Sequence, residues 1–274
     1  MRRREFITFF VVVATWPLKA GAQQQAMPVI GYLSAGSPDS LAANLAAFQQ
    51  GLAETGIVEV QNVRIEYRWS RDEPERLRTF ATDLVGRNVA ILYAVSNFAA
   101  FAAKSATSTI PIVFLAGGDP VEIGLVASLN RPDANATGVT LFLNELSAKR
   151  LELLNEIVPN VPVVAFMVNP TNPRVQVNIR ELQAAALGAR QEILILSVSH
   201  ERKFEAAFAT LIQRNVGALL IDGDILFNDQ RDRLIHLAAR HRVPASYQVR
   251  ESAIAGGLMS YGPSVPDGSS WGLV

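Results

Sequence analysis

Short apolar segments rich in Val, Ile and Leu alternate along this chain with segments in which apolar residues recur every three or four positions. The first kind predicts strands buried on both faces, at 29–33, 89–95, 110–115, 163–168, 193–198, 218–221 and 243–247. The second kind predicts amphipathic helices, as at Leu41, Leu45, Phe48 and Leu52, with Gly56 ending that helix. Because alternating strands and helices are joined by right-handed crossovers, we predict an α/β fold built on doubly wound parallel sheets.

The spacing of these units divides the chain into two similar halves. Strand–helix units begin near 29, 62, 89 and 110, and again near 163, 191, 217 and 243, with a short strand at 138–141 between the two groups. Segment 63–69 alternates apolar and charged residues, which is typical of an edge strand. We therefore predict two doubly wound parallel-sheet lobes, at 23–142 and 143–256, joined by hinges at about 138–144 and 256–262.

Residues 1–22 form a unit of their own. Arg2, Arg3 and Arg4 precede an apolar run at 7–18, which is shorter than the roughly 20 residues of a membrane-spanning helix and so disfavours the alternative of a membrane anchor. The segment RREFI at 3–7 fits the twin-arginine pattern, and the small residues at 20–22 fit a signal-peptidase site. We predict a twin-arginine-like signal peptide that is cleaved after Ala22 and a mature protein in the periplasm.

Charge and cysteine content exclude several classes of protein. Residues 1–22 hold four of the 25 Lys and Arg residues and one of the 25 Asp and Glu residues, so the rest of the chain carries a net charge of about −3. Such a chain lacks the basic surface with which proteins bind nucleic acid. Cysteine is absent, so a hydrophobic core rather than disulfides must stabilise the fold, and thiolate chemistry is excluded.

The sequence lacks the short motifs of common cofactor and nucleophile sites. It contains no G-x-G-x-x-G, no G-x-x-x-x-G-K-[ST] and no G-x-S-x-G. His236 and His241 are not at the i, i+4 spacing of a two-histidine metal site, and the pair Asp222 and Asp224 around Gly223 is more typical of a turn than of a Mg²⁺ site. We therefore predict no catalytic residue, no cofactor and no metal.

Candidate ligand-binding residues follow the predicted strands, because open parallel sheets bind ligands at the carboxyl ends of their strands. Phe227 is a candidate apolar wall, whereas Trp69 fits packing on an edge strand at least as well. The alternative role for the Ser, Asn and Asp candidates is helix capping. The full set of candidates is Ser34, Ser96, Asn97 and Asp119 in the first lobe, and Asn169, Asp222, Phe227 and Tyr247 in the second.

Several stretches resemble the bacterial ABC transporter substrate-binding proteins related to tryptophan- and tyrosine-binding lipoproteins. They are RREFI at 3–7, WPL at 16–18, AQQ at 22–24, VIGYLS at 29–34, IEYRW at 65–69, GDPV at 118–121, AKRLELL at 148–154, VNP at 168–170 and GGLMSYG at 256–262. The resemblance implies a type I periplasmic-binding-protein fold without catalytic activity. It also implies lobes that close by hinge motion on a small molecule, such as an amino acid or another small organic acid, and deliver it to an ABC permease in the inner membrane. We expect a monomer.

The end of the chain departs from this family. After the strand within GGLMSYG, residues 263–274 show no helical period, so we predict that 257–274 comprises a hinge-return strand and an aberrant, truncated tail. The loss of a third crossover would uncover apolar surface and weaken the fold, which makes a non-functional copy one alternative. A periplasmic sensor with the same two lobes and an exported α/β enzyme are the others.

Overall fold

The computed structural model describes residues 27–264 and 266, except 72, 132–134 and 144–145. The predicted signal peptide at 1–22 and the end of the predicted tail lie outside these residues. The described part contains two five-stranded sheets in which every pairing between strands is parallel. The prediction of two parallel-sheet α/β lobes is confirmed.

The first sheet has the strand order β2-β1-β3-β4-β5. Three helices connect its strands, and the predicted edge strand, β2, does lie at the edge. The elements are β1 (Val29–Ser34), α1 (Ala42–Glu54), β2 (Arg64–Trp69), α2 (Pro74–Gly86), β3 (Ile91–Val95), α3 (Asn97–Ala106), β4 (Ile112–Ala116) and β5 (Ala136–Thr140).

The second sheet has the strand order β10-β9-β8-β6-β7. Its elements are α4 (Ser147–Ile157), β6 (Val163–Val168), α5 (Val175–Gly188), β7 (Glu192–Ser197), α6 (Phe204–Gln213), β8 (Ala218–Ile221), α7 (Ile225–Asp229), α8 (Arg231–His241), β9 (Ala245–Tyr247), α9 (Arg250–Ile254) and β10 (Met259–Ser260). Within the predicted return strand, Met259 and Ser260 pair with β9 at one edge of this sheet. In the described part of the chain, no helix is both long enough and apolar enough to cross a bilayer.

One strand differs from its prediction. Segment 193–198 is as apolar as the central strands, which favours burial on both faces, yet β7 lies at the edge of the second sheet. Ile193, Leu194 and Ile195 are only half-buried as a result. Apolar composition alone therefore does not distinguish a central parallel strand from an edge strand, because position in a sheet depends on the order in which the crossovers place the strands.

The end of α1 shows how local sequence sets an element boundary. Gly56 has φ +81°, a left-handed conformation that glycine adopts without steric cost. The amide of Gly56 donates to the carbonyl of Ala53 at 2.9 Å, and the amide of Ile57 donates to that of Leu52 at 2.9 Å. This pair of bonds is a Schellman motif, and it turns the chain away from the helix as the sequence predicted.

Candidate functional site

The carboxyl ends of the strands in both lobes meet around one cavity of about 610 Å³, a volume that includes its open mouth. Its walls are largely apolar, with uncharged polar groups among them, as is typical of small-molecule sites. The apolar lining includes Leu41, Phe98, Leu115, Leu141, Leu143 and Ile225. The polar side chains of the lining are Asn44, Ser96, Asn97, Asn172, Asp224 and Asn228.

The first-lobe wall is formed where β3 passes into α3. Ser96 has φ 107°, which is strained for any residue with a side chain, and such strain concentrates at functional sites. Its Oγ caps α3 by accepting a bond from the amide of Ala99 at 3.2 Å. Asn97 Oδ1 accepts a bond from the amide of Gly117 at 3.1 Å, which ties the ends of β3 and β4 together. The positive end of α3 thus faces the cavity.

The second-lobe wall is organised by Asp224, the N-cap of α7. Its Oδ1 accepts bonds from Asn169 Nδ2 and from the amide of Leu226, each at 3.0 Å. Its Oδ2 accepts a bond from Asn172 Nδ2 at 2.8 Å. Burial raises the pKa of Asp224, and these donors oppose that shift by favouring the carboxylate. Each oxygen of the Asp224 carboxylate therefore already accepts at least one hydrogen bond from its own lobe.

A buried polar network lies behind this wall. Asn178 Nδ2 donates to both carboxylate oxygens of Asp222, at 3.1 and 2.9 Å, and Arg174 Nε donates to Asn178 Oδ1 at 3.0 Å. Arg150, which is fully buried, donates from Nη1 to the carbonyl of Ile221 at 2.7 Å. Burial raises the pKa of Asp222 to about 6 and lowers that of Arg150 to about 10, while each charge partly offsets the shift of the other.

Polar contacts between described residues join the lobes across the cleft. Arg174 of the second lobe forms an ion pair with Glu122 of the first, and its side chain is 2% exposed. A Cβ added to Gly118 would lie 3.1 Å from Arg174 Cδ, so glycine leaves room for this side chain to cross. Asp229, at the end of α7, accepts a bond from Ser40 Oγ just before α1. The lobes are therefore in contact across the cleft.

A second cavity of about 630 Å³ adjoins the first and shares Leu41, Asn44 and Asn228 with it. It lies between the start of α1 and the segments around α8 and α9, and its remaining lining includes Asp39, Ser40, Arg231, Val249 and Glu251. We call the first cavity the inner compartment and the second the outer compartment. Among the described residues, no group of three or more His, Cys, Asp or Glu side chains is arranged to hold a metal ion.

The structure brings only part of the predicted site set to the cavity. Ser96 and Asn97 line the inner compartment, and their contact with a ligand remains a prediction. Asn169 and Asp222 lie behind the second-lobe wall, where they hold Asp224 and Asn178.

The other predicted site residues have roles within their own lobes. Ser34 is buried and accepts a bond from the amide of Gly36, and Asp119 accepts bonds from the amides of Val121 and Glu122. Phe227 packs on Phe204, and Tyr247 is buried in the same core. Trp69 packs on Tyr32, with 4.9 Å between ring centroids. None of these side chains lines the inner compartment, because a strand end can also face its own lobe.

Sequence reasoning missed other lining residues. Asn172 and Asn228 lie three or more residues beyond the ends of their strands, and Asn44 lies within α1. The polar Asn44 between the apolar Leu41 and Leu45 was an available signal, since it interrupts the buried face of an amphipathic helix.

Two parallel-sheet α/β lobes around a shared cleft define a type I periplasmic-binding-protein fold. The family model described as "ABC transporter substrate binding protein" matches residues 30–267, and the chain belongs to this family. The family resemblance noted in the sequence is thus confirmed. Members of the family bind small molecules, interact with permeases and lie outside the cytoplasm, and they are binding proteins rather than enzymes.

Individual relatives agree with this assignment. A conserved domain protein of Vibrio cholerae has a similar fold, with a TM-score of 0.82, 23% identity, and coverage of 90% of this chain and 82% of that one. An ABC domain of Streptococcus pneumoniae in complex with L-Trp gives a TM-score of 0.78, 22% identity, and coverage of 88% and 81%. A tyrosine-binding protein of Clostridioides difficile is 25% identical over 215 residues, which are 78% of this chain and 61% of that protein's length.

Proposed function

We propose that this chain captures an amino acid with an apolar side chain in the cleft and delivers it to the permease of an ABC importer without altering it. The observation that carries the proposal is the inner compartment, which both lobes line and whose walls are mainly apolar. Its polar groups are amides, a hydroxyl, and a carboxylate whose oxygens are already bonded. Such a lining suits an apolar group of a small solute.

The relatives support an amino acid as the solute class. One is named for tyrosine binding, and another was solved in complex with L-Trp. Import requires that the protein lie outside the cytoplasm, and the predicted signal peptide at 1–22 would direct it to the periplasm. We expect the protein to act as a monomer that presents its closed form to the permease.

A thermal-shift screen of the purified protein tests the proposal. The panel contains the apolar and aromatic amino acids, with sugars and dicarboxylates as other solute classes. A solute that binds only the folded state stabilises it by about 2.7 kcal/mol at a hundredfold excess over its Kd. We expect a shift with an apolar amino acid that mass spectrometry then recovers unchanged.

A matched pair of variants tests whether the solute binds in the cleft. Ile225 lines the inner compartment, so Ile225→Trp should fill it and abolish the shift. Ile254 is 74% exposed on α9, so Ile254→Trp should leave the shift intact. Conversion of the solute to a product would contradict the proposal in favour of an enzyme. A shift that survives Ile225→Trp would place binding elsewhere.

A further inference from the structure

The two compartments of the cleft differ in the groups they leave unsatisfied. The inner compartment has one charged side chain in its lining, Asp224, and both of its carboxylate oxygens already accept bonds from the second lobe. Three of its roughly four acceptor positions are used, so Asp224 offers an ammonium group only a partly occupied acceptor. The outer compartment is lined by three charged side chains, Asp39, Arg231 and Glu251, so charge recognition is concentrated there.

Glu251 carries an unused acceptor. Its Oε2 is buried and has no hydrogen-bond partner among the described residues. A buried carboxylate oxygen without a partner is costly, and it is stabilised most strongly by a charged donor. Asp39, in the same lining, adds negative charge, whereas Arg231 has Asp232 as an ion-pair partner at 3.5 Å. These charges favour a cation beside Glu251.

Asn44 carries an unused donor at the junction of the compartments. It is 6% exposed, it lines both cavities, and its Nδ2 has no hydrogen-bond partner among the described residues. The amino end of α3 faces the inner compartment, where Ser96, Asn97 and Phe98 form part of the wall. An amide donor and a helix amino end both favour an acceptor that carries negative charge.

We propose that Glu251 and Asn44 recognise the charged end of an α-amino acid whose apolar side chain lies in the inner compartment. The ammonium donates to Glu251 Oε2, and the carboxylate accepts a bond from Asn44 Nδ2. This assignment rests on the proposed function and adds to it the residues that select the solute class. One ligand satisfies both orphaned atoms with charged groups, whereas a sugar offers only uncharged hydroxyls and a plain carboxylate lacks the ammonium.

Two ligand series separate the contributions of the two residues. Each contains an amino acid, the amine that lacks its carboxylate, and the acid that lacks its ammonium. The series are L-phenylalanine, phenethylamine and hydrocinnamate, and L-leucine, isoamylamine and isocaproate. By calorimetry, the natural protein should bind the amino acid of at least one series about tenfold or more tighter than either partial analogue, since a hydrogen bond to a charged group contributes that much.

Each variant should lose affinity only for the ligands that carry the charged group its residue recognises. Glu251→Gln should weaken the binding of the amino acid and of the amine about tenfold or more, and it should leave the binding of the acid unchanged. Leucine is close in size to asparagine. Asn44→Leu should weaken the binding of the amino acid and of the acid and leave the binding of the amine unchanged. Because Asn44→Leu removes an orphaned buried donor, its unfolding midpoint should be equal to or above that of the natural protein. Glu205→Gln, on the exposed face of α6, is the matched control and should change nothing.

The possible outcomes are distinct. If either variant weakens the binding of all three members of a series equally, or of none of them, the recognition scheme is wrong, although the protein still captures a solute. If the natural protein binds neither series but binds a sugar or a dicarboxylate, the scheme and the amino-acid class are both wrong. If no solute binds, the proposed function fails together with the scheme.

Discussion

The two lobes share one topology but are held together by different physical means. Behind its cleft wall, the first lobe packs aromatic rings: Phe48 lies 5.2 Å from Tyr32 and 4.5 Å from Tyr93 between ring centroids. Behind its own cleft wall the second lobe buries charge: Asn178 links Asp222 to Arg174, and Arg150 donates to the carbonyl of Ile221 at the end of β8. Aromatic packing tolerates small adjustments, whereas a buried charge network is stable only when every member is present.

This difference bears on which lobe shapes the cleft. The second-lobe wall presents Asp224 and Asn172 in fixed orientations because their polar atoms are already bonded to one another. The first-lobe wall presents helix ends and apolar side chains, which impose fewer directional constraints. We infer that the second lobe provides a rigid template and that the first lobe adapts to it on closure. Three predictions test this contrast.

The largest effect is expected from Arg150→Ala. The substitution removes the buried guanidinium, leaves the Ile221 carbonyl without its donor and leaves Asp222 without an opposing charge. Leaving Asp222 as a buried acid without this opposing charge should lower the free energy of unfolding by about 3–5 kcal/mol. Urea unfolding measures the loss, and hydrogen exchange should locate it in the second lobe.

Lys149→Ala provides the control for this prediction. Its side chain is 43% exposed and pairs with Glu152 on the surface, so its loss should leave the free energy of unfolding nearly unchanged. If Arg150→Ala were as mild as Lys149→Ala, the second lobe would not depend on its buried charges, and the contrast between the lobes would be wrong.

A smaller effect is expected from Phe48→Leu in the first lobe. Leucine keeps most of the apolar burial but removes two aromatic contacts, which should cost about 1–3 kcal/mol. Leu52→Met, in the same helix and core, preserves volume and removes no ring–ring contact, so it should cost less than about 1.5 kcal/mol. Equal losses in the two variants would show that the rings contribute only apolar area.

The smallest effect concerns the contact between the lobes. Burial on closure raises the pKa of Asp229 to about 6, although donors from Ser40 and Ser37 and the charge of Arg231 oppose the rise. In an open cleft we expect the Asp229 carboxyl to be hydrated and to have its ordinary pKa. Because the closed form then binds a proton more tightly than the open form, closure should be favoured as the pH falls through about 6.

Solute affinity should therefore rise roughly tenfold between about pH 7 and about pH 5, and Asp229→Asn should remove this dependence. Calorimetric titration at several pH values measures the affinity of the natural protein and of Asp229→Asn. Asp39 and Glu251, in the adjoining outer compartment, are kept unchanged in this comparison. Affinity that fell on acidification, or a dependence that persisted in Asp229→Asn, would show that Asp229 does not link protonation to closure.

The sequence was a good guide to the fold because its signals are local. The apolar segments at 163–168 and 218–221 form strands with those bounds, and the charged alternation of 63–69 marks a true edge strand. The edge position of β7 escaped prediction because strand order depends on which neighbours the crossovers select, a choice that composition does not encode.

The site was harder to predict because it depends on contacts between segments that are far apart in the sequence. Ser96 and Asn97 follow a strand directly, so the rule that ligands bind at strand ends placed them at the cavity. Asn44 and Glu251 lie on helices, and their relevance comes from polar atoms left without partners once the lobes meet. Satisfaction of hydrogen bonds is a property of the folded whole, and no spacing rule within one segment reveals it.

The outer edges of the two sheets differ in their risk of self-association. Along β2, Arg64, Glu66 and Arg68 place charge on the exposed face, which discourages another chain from pairing there. Along β7, Ile193, Leu194 and Ile195 are half-buried beside an unpaired row of backbone groups. An apolar edge of this kind is a template for strand addition, so in concentrated solution β7 is the place at which aggregation would begin.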